Sequence, residues 1–491
     1  MLEQLLNAGG AGGAASGMSV AGHMGNADFE ALQKSLEAGY DSDVSTLTGG
    51  SALRIQSLDT TMQATVQDNQ HFALFNMLPK PKATAVLDEW TEQHSIGGFF
   101  GGTFNAQDGA AMETNGEYNR MVGMVKYMTT YRKIPVVLSA QNNIVDAITL
   151  ETTNGTKQLL TDIEVGLFEG DDTVCPLSFP GIRRQLETLQ STDNIIDMAG
   201  QALSNIDPIA IAAANIFGFG SFGRATDIFL PPSVQTDLNM DLDPAFRITL
   251  NANANATVRG THVAGVQTSY GEIKTRNDVF IRDEKLKVPF QIRNKIHAAV
   301  AAANVSFMPA SVVPTPGAGG ADSAWTAAQA GNYYYFVTGI NQNGESTGVL
   351  SAQVAVAAGE QVSIAIGASA GGTETGYVIY RSRMNGTSNL WDLREMDRVP
   401  KATNAATTTY IDKNRMLPGS TSAFVLNLLP SDHAIAWRQF LPMMKIPMAA
   451  VNSPIIPWLQ MICGYLRITK RAQHAVIVNI VPNSAKWKPF G

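Results

Sequence analysis

The chain has 491 residues, of which 45% are hydrophobic and only 16% charged, and its formal net charge is −7. The length suits roughly two to four domains, and a charged share well under the usual quarter leaves a surface suited to being covered. In the opening segment Glu3, Asp28, Glu30, Glu37, Asp41, Asp43 and Asp59 stand against Lys34 and Arg54. That excludes a basic arm for neutralising phosphates and argues against sequence-specific nucleic-acid binding.

Residues 1–25 are rich in Gly, Ala and Met and read as a tail ordered only by a neighbour. They lack the basic start of a signal peptide. Residues 27–37 can form one short helix before Gly39. Residues 47–69 read as an arm with apolar points at Leu53, Ile55, Leu58, Met62 and Val66. Two β-rich runs follow, 82–92 and 118–138, and between them lies a tip with Gly97, Gly98, Gly101, Gly102, Gly109 and Gly116 beside Phe99, Phe100 and Phe104. This pattern predicts a long two-stranded ribbon with an apolar end. Such a ribbon is marginal alone, so it must lie on its own domain or on the next subunit.

Residues 143–169 read as a helix, with Leu159, Leu160, Ile163 and Leu167 on one face. Asn154-Gly155 interrupts it and leaves open one kinked helix or two. Beyond it, 193–203 reads as a helix, 209–217 as an Ala-rich apolar run, and 246–250 and 279–281 as strands. Pro309, Pro314 and Pro316 with Gly317, Gly319 and Gly320 read as a linker. Then come short strands at 333–340, 349–356, 362–366, 377–380 and 408–411, with a hairpin turn at Asn343-Gly344. This density of strands in 305–417 matches an immunoglobulin-like or fibronectin-like sandwich. Strand patterning resumes at 465–469 and 475–481, so the sandwich reads as inserted within a second domain.

Chemistry-bearing motifs are sparse. Cys175 and Cys463 form no CxxC, which argues against a zinc ribbon or redox dithiol and for a reducing compartment. The seven histidines stand in no ligand spacing, and no GxSxG occurs. Gly218-Phe219-Gly220-Ser221-Phe222-Gly223 fits GxGxxG, with Asp243 further on, but it follows a helix-like run where a dinucleotide loop would follow a strand. Asp171-Asp172 reads as a solvated helix end. No catalytic, cofactor or metal site is expected. Of the uncharged stretches, 208–223 is too short to cross a membrane and 446–466 is broken by Pro447, Pro454 and Pro457, so no membrane partner is expected.

The order of arm, ribbon, long helix, mixed domains and C-terminal return resembles the Hong Kong 97-type capsid fold of tailed phages. Gly49-Gly50-Ser51-Ala52-Leu53-Arg54, the 154–171 segment with Ile163-Glu164 and Leu167-Phe168-Glu169-Gly170-Asp171, and 458–482 look like myovirus major capsid proteins. The resemblance implies an α+β capsid fold: tail and N-arm over 1–80, E-loop ribbon over 81–138, P-domain with spine helix over 139–190, A-domain over 191–303, the inserted sandwich over 304–417, and a return through A- and P-domain strands over 418–491. It implies self-assembly as hexamers and pentamers into an icosahedral shell around phage DNA, with the DNA contacted non-specifically. Portal and scaffolding or decoration proteins are implied as partners, and assembly in the host cytoplasm. Expected inter-subunit contacts are Phe99, Phe100, Phe104 and Tyr118 at the ribbon tip and Leu53, Arg54, Ile55 and Leu58 in the arm. The tip holds no lysine, so a Lys–Asn crosslink from it is unsupported. Two other readings remain: a tail or baseplate component whose sandwich binds host glycans, and an enzyme using the Gly218–Gly223 loop for a nucleotide.

Overall fold

A computed structural model describes residues 69–99, 101–110, 113–140, 146–188, 193–240, 264–283, 307–341, 344–450 and 453–490, all within the unit Thr65–Gly491. The arm and the expected helix at 27–37 lie outside the described residues, as does the strand expected at 246–250.

The architecture is mixed α+β. Helix α1 (Ala73–Met77) leads into the hairpin β1 (Leu87–Ser95) and β2 (Glu117–Met124), then β3 (Lys126–Pro135), α2 (Val136–Ala140) and α3 (Ala147–Glu169). The run 118–138 is thus two strands. At Val125, which is buried, the chain leaves the ribbon and β3 joins the strand Ile455–Ile468 of a central sheet. Next come α4 (Ile182–Glu187), β4 (Ile195–Asp197), α5 (Asp207–Phe217), β5 (Asp227–Leu230), α6 (Pro232–Met240), β6 (Gly265–Thr268) and β7 (Gly271–Asn277). The helix expected at 193–203 is instead the short β4 and a turn, because β4 pairs in parallel with the strand Ala475–Ile480 and the chain reverses at Ala199-Gly200 with positive φ. Residues 279–281 form no strand; β7 ends before them.

Strands β8 (Ser311–Ala318), β9 (Gly331–Tyr333), β10 (Tyr335–Asn341), β11 (Gly344–Leu350), β12 (Val354–Val356), β13 (Glu360–Gly367), β14 (Gly376–Ser382), β15 (Leu393–Pro400) and β16 (Thr407–Asp412) make the inserted segment. The chain closes with β17 (Thr421–Leu426), β18 (Ile435–Pro447), β19 (Ile455–Ile468) and β20 (Ala475–Ile480).

Two sheets build the body. In one, β19 lies between β18 and β3, all antiparallel. Helix α3 crosses its face: Arg132 donates to Glu151 (3.0 Å) and Gln158 (2.6 Å), and Gln460 donates to the Thr152 carbonyl (2.9 Å). Asp146 caps α3 by accepting the Thr149 N–H (3.0 Å). The helix runs through Asn154-Gly155 unbroken, because the glycine makes room for a partner. A Cβ at Gly155 would sit 1.7 Å from Gln460 Oε1.

The other sheet has the order β4-β20-β17-β5-β7-β6. Its strands alternate between two cores. Phe424, Leu426, Val476 and Val478 face the α3 side with Phe168, while Ala423, Val425, Ala475 and Ile477 face α5 and α6. This is why β17 and β20 read as continuous apolar runs.

The segment entering from the N-terminal side is clasped to α3. Glu164, fully buried, accepts the backbone N–H of Leu74 (2.7 Å) and Phe75 (3.0 Å), and Phe72 stacks on Phe280 at 5.2 Å. Burial, with the neighbouring Asp278 charge, pushes the Glu164 carboxyl well above its usual range.

In the inserted segment, the sheet β11-β10-β14-β15 and the sheet β16-β13-β8 share one core that holds Trp325, Tyr333, Tyr335, Val362, Ile364 and Tyr377. The residues read as a Pro-rich linker form β8, an edge strand paired through Pro314↔Ile364 and Pro316↔Val362. Proline is tolerated there because an edge leaves its missing N–H facing outward. The segment is docked on the body by Val174 and Cys175 packing with Phe336, Ile340 and Tyr380. Buried Arg282 reaches the carbonyls of Glu395 and Met396, each at 3.0 Å.

Candidate assembly interface

Among the described residues strand β1 pairs with β2 and with no other strand, in the register Leu87↔Met124, Glu89↔Val122 and Trp90↔Met121. Period-two alternation gives this ribbon two unlike faces. The inner face rests on the body's own sheet. Asp88 accepts two bonds from Arg438 (2.8 and 2.9 Å), one from the Tyr465 hydroxyl (2.6 Å) and one from Arg467 (3.3 Å). Burial opposes the Asp88 charge, but the hydrogen bonds from Arg438 and Tyr465 and the two guanidiniums hold its carboxyl below the usual range. Gly123, opposite Asp88, admits the Tyr465 ring: a Cβ there would lie 2.3 Å from its Cε2. Arg467 lies over the Trp90 ring at 5.5 Å.

The outer face carries Leu87, Tyr118, Val122 and Met124, all exposed. At the tip, Gly97, Gly98 and Gly101 take positive φ, a region open to glycine at no steric cost. Ile96 is 88% exposed and Phe104 85%. Phe99 is exposed as well, although its ring folds back over Gly102. Of the residues that the sequence points to, Phe99, Phe104 and Tyr118 therefore lie in one solvent-facing ribbon. Phe100 and the arm residues Leu53, Arg54, Ile55 and Leu58 lie outside the described residues.

Sequence reasoning missed a second exposed apolar patch, in the Gly218–Gly223 loop. This loop joins the end of α5 to β5, a helix-to-strand turn and the reverse of the strand-to-helix turn that cradles a pyrophosphate. Gly220 has φ 96° and Phe222 φ 48°. Phe217, Phe219 and Phe222 are all exposed. The available signal was two aromatics in a six-residue glycine-rich loop, with Phe217 just before it, which a buried turn would not carry.

Among the described residues no cluster of three or more His, Cys, Asp or Glu could hold a metal, and no helix is long and apolar enough to cross a membrane. His474 is fully buried, its pKa pushed down to about 4 by desolvation, and its Nδ1 accepts the Asn427 N–H (3.3 Å). It is a neutral core group.

No family model matches the sequence. Curated relatives do. Proteins named major capsid protein from Staphylococcus phage S25-3 and Staphylococcus phage K are each 23% identical over 435 residues, covering 87% of this chain and 90% of theirs. Among solved structures, the capsid of a native GTA particle covers 90% of this chain and 99% of its own, at 9% identity and a TM-score of 0.45. The similarity to the curated relatives covers 87% of this chain, so along most of its length the chain is similar to phage major capsid proteins.

Proposed function

We propose that the chain is the shell-forming subunit of a tailed-phage capsid of the Hong Kong 97 type, assembling as hexamers and pentamers into an icosahedral container for double-stranded DNA. The observation that carries this is the reach of the similarity: 87% of this chain aligns with 90% of a protein named major capsid protein. The role is structural rather than enzymatic, and its place is the virion.

In this reading the ribbon is the E-loop, α3 the spine helix, and the sheet carrying α5 and α6 the A-domain. The nine inserted strands form an immunoglobulin-like sandwich shown on the outer surface. The ribbon tip, through Phe99, Phe104 and Tyr118, and the arm, through Leu53 to Leu58, cover neighbouring copies. Glycines at the tip let the same contact bend differently at each quasi-equivalent position. Packaged DNA meets an acidic chain and is held only non-specifically. Portal and scaffolding or decoration proteins complete the particle, which forms in the host cytoplasm.

The test is deletion of residues 97–116 in the full chain, followed by negative-stain microscopy. The expected result is a folded subunit that makes no shells. Normal particles from the deletion would overturn the ribbon's role, and a wild-type chain that stays monomeric at high concentration would overturn the capsid reading itself.

A further inference from the structure

Strands β5 and β7 run parallel through the middle of the six-stranded sheet, in register from Asp227↔Lys274 to Leu230↔Asn277. The two ends of this strand pair carry opposite shapes. Where the strands begin, aromatic rings protrude. Phe219 is 80% and Phe222 70% exposed, packed edge to face at 5.4 Å, and Phe217 leans on Tyr270 at 5.2 Å. Where the strands end there is a cleft of about 480 Å³ walled by Pro231, Pro232, Val279 and Ile281.

Arg224 at one end and Asp283 at the other are of opposite sign, with the acid Glu272 also exposed at the strand start. Arg224, exposed and two residues beyond Phe222, lies against Gly271 at the protruding end. Asp283, which accepts the Ser233 hydroxyl at 3.2 Å, is the only charged side chain lining the cleft among the described residues. An exposed aromatic cluster of this size marks an interaction site. Burying what Phe219 and Phe222 expose removes roughly 200–400 Å² from water, about a quarter to a half of the about 800 Å² per partner of a standard interface.

We propose that the aromatic knob of one copy seats in the proline-walled cleft of the next, with Arg224 brought to Asp283, so that copies join head to tail through their six-stranded sheets. The proposal rests on the capsid reading above and specifies the contact within a capsomer. Because knob and cleft lie at opposite ends of the same strands, one subunit offers each surface to a different neighbour. Such a heterologous contact closes into a ring when its rotation divides a full turn.

The test uses the full chain with Ser221→Cys beside the knob and Ser233→Cys in the cleft. Native Cys175 and Cys463 are buried, so a short bis-maleimide reacts at the new positions. On a denaturing gel, assembled double variant is expected to give a ladder up to the ring size, and each single variant dimers at most. Particles that form normally while the double variant stays monomeric on the gel would sink the head-to-tail contact and leave the capsid reading intact. A wild-type chain that never assembles would sink both. As an independent arm, Phe219→Ser with Phe222→Ser is expected to melt like wild type, since both rings are exposed, yet to form no rings. Rings from that variant would overturn the proposal.

Discussion

The ribbon and the inserted segment are both built of antiparallel strands, and they solve the same problem in opposite ways. The inserted segment encloses a core of its own: Tyr333, Tyr335 and Tyr377 are fully buried, and Arg381 is enclosed with Asp412 at 2.6 Å, over Trp325 at 4.8 Å. The ribbon leaves Leu87, Tyr118, Val122 and Met124 in solvent and ties only its inner face to the body, through Asp88 and Gly123. A two-stranded hairpin has no second layer to cover its outer face. Strand propensity alone therefore says little about stability; what matters is which surface each face is given.

The largest expected effect breaks the self-sufficient side of this contrast. Arg381→Ala leaves Asp412 buried without its counter-charge and should cost about 3–5 kcal/mol. Limited proteolysis should then cut within 307–412 while hydrogen exchange in β1 and β2 stays as in wild type. Equal protease resistance would mean that the Arg381–Asp412 pair is not what holds the inserted core.

A smaller effect tests the ribbon's anchor. Asp88→Asn weakens charge-assisted bonds to Arg438 and Arg467, at a cost of about 1.5–3 kcal/mol, and should raise exchange in 87–95 and 117–124. The pH dependence has a definite sign. The folded-state carboxyl is held below its usual range, so the Asp88 contribution is complete above the unfolded value, near pH 4. It is lost as pH falls through the depressed folded value. Ribbon exchange that stays flat from neutral pH into strong acid would show that the anchor lies elsewhere.

The smallest effect on stability is at the tip. Phe104→Ser should move the unfolding free energy by no more than about 0.5 kcal/mol, with the loss read instead as fewer particles by light scattering. A clear drop in melting temperature would show that Phe104 is packed within its own chain.

Much of this arrangement was legible in the sequence. The stripe Leu159, Leu160, Ile163 and Leu167 marks α3, and the glycines between two β-rich runs mark the ribbon tip. What could not be read depends on contacts distant in sequence. Gly155 looks like a helix breaker until Gln460, 305 positions away, occupies its missing Cβ. The 118–138 run looks like one strand because both halves share the same propensity, and only pairing with β19 divides it at Val125. Pro314 and Pro316 suggest a linker because a single sequence does not reveal which strand will be an edge. The tip aromatics stand out in the sequence as candidates for exposure, whereas Phe219 and Phe222 sit in a glycine pattern that reads as a nucleotide motif or as a flexible or close-packed loop.

Those two prolines have a consequence for the shell proposed above, in which many copies would stand at close quarters. An open strand edge is a template on which a neighbour's chain can add itself, and crowding raises the frequency of such encounters. Strand β8 borders its sheet with Pro314 and Pro316, which have no N–H to offer. This border is thereby a poor template for a strand from another copy.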